Sequence, residues 1–124
     1  MRFKTLTPML YSSDVPGTIA FYTTVLGFTC DNVMEDAHWA SLRRDDVTIM
    51  ISVPNEHIPF EKPILTGSLY LQVEDVDAIW QKLESKANVC YPIENFDYGM
   101  REFAIYDNNG YLLQFGQEIA TLNP

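Results

Sequence analysis

Apolar positions recur along this chain at two spacings, and each spacing occurs twice. Phe103, Ile105, Leu113 and Phe115 alternate with their neighbours on either side of Asp107-Asn108-Asn109-Gly110. That is the period-two pattern of a strand pair with two faces around a run of turn formers. Asn109 and Gly110 suit the φ > 0 positions of a tight hairpin. His38–Ser52 repeats the outline, turning at Asp45-Asp46. Val15, Ile19, Tyr22 and Leu26 fall at helical spacing, as do Val76, Ile79, Trp80, Leu83 and Ala87. Asp14 and Asp75 stand where a carboxylate caps the free amides of a first turn, and Pro16 is tolerated just behind Asp14. Gly27 and Asn88 stand where a left-handed residue closes a helix. A strand-like stretch precedes each helix: Phe3–Tyr11, interrupted by Pro8, and Ser68–Val73, which alternates strictly.

The two halves align. A shift of 61 residues carries Thr7 onto Ser68, Asp14 onto Asp75 and Gly27 onto Asn88, and a shift of 64 carries Asp46 onto Gly110, Trp39 onto Phe103 and Met50 onto Gln114. Matching caps at a shared shift describe one unit written twice, each a strand, a helix and three strands. The expected organisation is a single domain, 1–124, with module one at 1–53 and module two at 67–117. Residues 54–66 hold Pro54, Pro59 and Pro63 and read as a linker long enough to cross between modules. Tyr91–Met100, with Pro92 and Gly99, reads as the least regular stretch before the closing hairpin.

Composition narrows the function without naming it. At 124 residues, 47% hydrophobic and 20% charged, the chain can bury a core without disulfides or a metal staple. Cys30 and Cys90 fit no zinc or CxxC spacing and read as free thiols. No apolar run is long enough to span a membrane and the start lacks a signal-peptide core, so the expected location is the cytoplasm. A net charge of −9 disfavours nucleic acid and favours a cationic small molecule.

Two βαβββ units resemble the glyoxalase, bleomycin-resistance and dioxygenase superfamily, the vicinal oxygen chelate fold, and within it the bleomycin-resistance proteins. The residues that carry the resemblance are Asp14-Val15-Pro16 leading to Leu26-Gly27-Phe28, then Leu42–Asp45 with Ile49–Ser52. Val73-Glu74-Asp75 and Gly99–Ala104 with Asp107 and Gly110 complete them. The resemblance implies an α+β fold: curved mixed sheets around a cavity, helices outside, and a homodimer. Members often exchange the N-terminal strand, and Pro8 stands where such a hinge would lie.

The family's metal enzymes draw one ligand from the first and last strand of each module. Carried over, those positions are Thr7, Met50, Ser68 and Gln114. A catalytic metal wants about three histidine or carboxylate ligands, which these are not. His38 and His57 do not repair the set. The expectation is therefore no metal, no cofactor and no catalytic residue, and no serine or cysteine is paired with a base by any motif. What remains is an aromatic ligand site. Trp39 matches an aromatic that stacks on ligand in bleomycin-resistance proteins, and Phe103 is its repeat mate. Met50, Ser68, Tyr70 and Gln114 share the expected inner faces, and Phe96 and Tyr98 lie at the rim. Arg101 and Glu102 read as a solvated or sheet-edge ion pair, and Trp80 and Tyr22 as helix-to-sheet packing. The leading expectation is a metal-independent protein that sequesters a cationic, aromatic-containing antibiotic or similar compound. The alternative is a glyoxalase-like, metal-dependent lyase, isomerase or dioxygenase, and a binding module for another metabolite is a third reading.

Overall fold

Alternation along the strands sorts each half of the chain into a sheet with one face against a helix and one face away from it. The computed structural model describes residues 1–122 and comprises two units, Met1–Pro63 and Ile64–Pro124. In the first, strand β1 (Met9–Tyr11), helix α1 (Val15–Thr24) and strands β2 (Thr29–Val33), β3 (Trp39–Arg44) and β4 (Val47–Ser52) form a four-stranded sheet of order β1-β4-β3-β2. In the second, β5 (Leu69–Gln72), α2 (Val76–Leu83), β6 (Asn88–Asn95), β7 (Met100–Tyr106) and β8 (Leu112–Glu118) form a sheet of order β5-β8-β7-β6. A short 3-10 helix, Ile119–Thr121, follows. Each unit is βαβββ, with its first strand parallel to its last and the other pairs antiparallel. The fold class is α+β, as expected.

Both caps form. The Asp14 carboxylate accepts from the Gly17 amide at 2.9 Å and that of Asp75 from the Ala78 amide at 3.1 Å. Gly27 turns the chain out of α1 with φ +73°, and the Arg44 guanidinium donates to the freed Leu26 carbonyl at 2.7 Å. Asn88 does not do the same for α2. That helix ends at Leu83, whose carbonyl accepts from both Lys86 and Ala87, and Asn88 already pairs with Tyr106 in β6. A shorter helix has no use for a left-handed residue so far downstream.

Three other expectations change. The first strand shrinks to Met9–Tyr11, because Pro8 has no amide to donate; its carbonyl still accepts from Met50 N at 2.9 Å. Tyr91–Met100 is mostly strand: β6 is an edge strand, and two bulges absorb its irregularity and Pro92. In the closing turn only Gly110 takes positive φ, at +90°. The Gly110 amide donates to Asp107 O, and Asp107 N donates to Tyr111 O, which makes a three-residue loop ending in a left-handed glycine.

The helix-facing residues make the core of each unit. In the first, Leu10, Ala40, Leu42, Ile49 and Ile51 are buried with Val15 and Tyr22, whose ring meets Phe28 edge-on at 5.4 Å. In the second, Phe103 and Phe115 are partners in register and stack at 5.0 Å, and Trp80 of α2 tilts against Phe103 at 5.1 Å. Phe103, expected to share ligand stacking with Trp39, is instead fully buried beneath α2 as a core ring. Truncating such a ring removes its transfer energy and leaves a cavity. Phe103→Ala should lose roughly 3–5 kcal/mol of stability in urea unfolding, and a loss below about 1 kcal/mol would show that the ring is not a core element.

Candidate functional site

Turning from the helix face to the other face of the second sheet, the register puts Glu102 opposite Gly116 and Ala104 opposite Gln114. Glu102 is 0% exposed. Burial of a carboxylate is costly unless hydrogen bonds replace its water. Tyr70 on β5 donates to Glu102 Oε1 at 2.9 Å, and Tyr91 on β6 makes a short hydrogen bond to Oε2. Gln114 Nε2 on β8 donates to the Tyr91 oxygen at 3.0 Å, and the Ser68 hydroxyl donates to Gln114 Oε1. Four strands therefore contribute to one connected network.

Gly116 is what lets Tyr70 reach across β8. A Cβ there would run into the Tyr70 hydroxyl and lie 2.7 Å from ring atom Cζ. No cation pairs with Glu102 among the described residues. Arg101, its neighbour, points to the helix side, where its guanidinium grips Asp77 of α2 at 2.8 Å and reaches Asn95 at 3.1 Å. The expected Arg101–Glu102 ion pair is corrected accordingly, because successive strand residues face opposite ways.

Burial, then the bond to Glu102, pushes the Tyr70 and Tyr91 phenols up to about 12. Tyr98 is moved in the same direction by desolvation and by Glu102. Its ring, 60% exposed, stacks on Phe96 at 5.5 Å, and Phe96 meets Tyr91 edge-on at 5.6 Å. Ser68, Tyr70, Phe96, Tyr98 and Gln114 from the expected set therefore gather around Glu102 and Tyr91. In the first unit, Trp39 and Met50 are half-buried on the face away from α1, opposite Ser52 and Ser41 respectively.

The missed residue has a simple origin. Two residues, Asp45-Asp46, join β3 to β4, whereas three, Asn108–Gly110, separate the Asp107–Tyr111 pair. One extra residue in a hairpin flips the face of the strand before it. In register, Trp39 corresponds to Glu102 rather than Phe103. The signal lay in the turn lengths. Tyr91 carried none, since its strand is broken by bulges.

Comparison with known proteins now adds the lineage. The profile of the Glyoxalase/Bleomycin resistance protein/Dioxygenase superfamily matches residues 4–115. The chain belongs to this superfamily. Among solved structures it is similar to the bleomycin-binding protein from bleomycin-producing Streptomyces verticillus complexed with copper(II)-bleomycin. That pair is 27% identical over 93% of this chain and 96% of the other, with a TM-score of 0.70. It also shares its fold with TioX from Micromonospora sp. ML1 (18% identity, 94% and 99% covered, TM-score 0.73). A third is the lactoylglutathione lyase from Agrobacterium tumefaciens (16%, 94% and 94%, TM-score 0.69). No curated protein sequence matches.

Thr7, Met50, Ser68 and Gln114 are the residues expected at the positions that the superfamily's metal enzymes use. Two hydroxyls, a thioether and an amide do not fit a hard or borderline cation, and Ser68 and Gln114 are bonded to each other. Among the described residues no three His, Cys, Asp or Glu side chains gather to hold a metal, and no helix is long and apolar enough to cross a membrane.

Raised phenols stabilise the fold while they stay protonated. Their contribution is complete below the unfolded tyrosine value near 10 and is lost as pH rises through about 12. Ultraviolet titration near 295 nm should show Tyr70, Tyr91 and Tyr98 among the late-ionising tyrosines, with urea stability falling over the same window. Gly116→Ala should push Tyr70 off Glu102 and remove its late ionisation.

Proposed function

We propose that this protein binds and sequesters a cationic, aromatic-containing small molecule in the cytoplasm, without a metal and without turning it over. The observation that carries the reading is a buried carboxylate with no cationic partner among the described residues, set in an aromatic sheet face. Large rings with hydrogen-bonding edges suit flat heteroaromatic ligands, and a few placed polar groups give orientation. The net charge of −9 draws a cation toward the protein. The 27% identity to a bleomycin-binding protein supports the same class of ligand, and protection from an antibiotic is one use of such capture. Phe3 and Leu6, 90% and 91% exposed, supply apolar surface that a homodimer would cover.

Calorimetry with metal-free bleomycin and a panel of flat cationic heteroaromatics tests the ligand class. Trp39→Ala should weaken binding by roughly 2 kcal/mol, about thirtyfold, with the fold intact. If instead Trp39→Ala unfolds the chain while its folded remainder binds normally, Trp39 is core. One tightly held zinc, nickel or iron per chain, with EDTA lowering Tm, would favour the glyoxalase-like enzyme. Sedimentation should give about twice the 14.2 kDa chain mass, and a monomer at micromolar concentration would contradict the dimer.

A further inference from the structure

The hydrogen bonds on the second sheet run in one direction. A carboxylate has lone pairs but no hydrogen to give, so Tyr70 and Tyr91 both donate to Glu102. With its only hydrogen committed, the Tyr91 oxygen can only accept, and Gln114 Nε2 donates to it. That orients the Gln114 amide and leaves its Oε1 facing Ser68, whose hydroxyl must be the donor. The chain of donors reads Ser68 to Gln114 to Tyr91 to Glu102, met from the other side by Tyr70. Every hydrogen points inward, toward one buried charge.

The open ends of that network are therefore acceptors. Tyr70, 45% exposed, and Ser68, also exposed, offer lone pairs and no hydrogen. Tyr98 stacks on Phe96 with its ring 60% exposed, and burial, then Glu102, raises its phenol. Each phenol is polarised by the charge behind it, which strengthens its oxygen as an acceptor. The raised phenols agree with this polarity, since ionising them would place a second negative charge beside the first. A carboxylate or phosphate would meet only lone pairs here.

We infer that the helix-free face of the second sheet, organised by Glu102 through Tyr70, Tyr91 and Tyr98, is a subsite for a protonated amine on an aromatic body. The ammonium hydrogens meet the outward phenolic and hydroxyl lone pairs, its charge lies over the buried carboxylate, and the aromatic body lies against Phe96 and Tyr98. This rests on the small-molecule-binding reading and sharpens it by naming which chemical group this face reads and which residues set the choice. Glu102 is a positioning residue, acting on the ligand through the tyrosines.

The test uses tryptamine and indole-3-propionate, which share a ring and differ in the charge of the tail, titrated calorimetrically into the full chain. Wild type should bind tryptamine at least tenfold more tightly. Glu102→Gln replaces an acceptor by a group that also donates, so one tyrosine turns its hydrogen outward and the preference should fall at least tenfold or invert. If that variant does not fold, Tyr70→Phe with Tyr98→Phe keeps both rings, leaves Tyr91 donating to Glu102, removes two acceptors and should abolish the preference. The inference is overturned if wild type binds the two probes equally, binds neither, or prefers the carboxylate. It is equally overturned if the amine preference survives Glu102→Gln, or survives the double phenylalanine variant. Metal-free bleomycin is titrated alongside. Bleomycin binding with no amine preference would sink this subsite and leave sequestration standing, whereas an amine preference without bleomycin binding would do the reverse.

Discussion

The second unit is built around a charge that no cation meets among the described residues. Glu102 sits in the middle of its sheet with phenols where a lysine or arginine would ordinarily stand. A salt bridge would neutralise the carboxylate. Hydrogen bonds from neutral hydroxyls make burial tolerable while keeping the negative potential. Tyr70 can serve only because Gly116 has no side chain in its path, and Tyr91 only because Gln114 supplies it with a further hydrogen bond. Remove any of these and the cost of the buried charge is no longer offset.

Arg101 shows how the same strand keeps an adjacent cation away from Glu102. Alternation sends it to the helix side, where Asp77 takes both nitrogens of the guanidinium fork. That pair pins α2 to β7 and holds the cation on the far face of the sheet. Two adjacent residues of opposite charge thus do separate tasks because a pleated strand has two sides.

Much of this was legible before any coordinates. Period-two runs, Asp14 and Asp75 as caps, and the glycine at 27 placed both βαβββ units, because each reflects a local preference that packing reinforces. Ser68 and Tyr70 share a face by alternation along their strand, and Tyr70 pairs in register with Gln114. Where the reading failed, a count was at stake. An ungapped alignment of the hairpins ignored the third loop residue, so Phe103 was set where Glu102 stands and the key side chain was left as a surface charge. Tyr91 was hidden for a related reason: bulges erase the alternation that would have assigned it a face. Register is a non-local property, and a propensity reading has no hold on it until a turn length is compared with its repeat.

Those bulges have a second effect, on how the protein behaves in a crowded solution. β6 is an outer strand of its sheet, and a straight outer strand beside an aromatic surface invites another chain to add on and start a fibre. Two interruptions in its ladder and Pro92, which has no amide to offer, deny an incoming strand a continuous row of partners. The irregularity that obscured Tyr91 in the sequence thus makes this edge a poor template for strand addition.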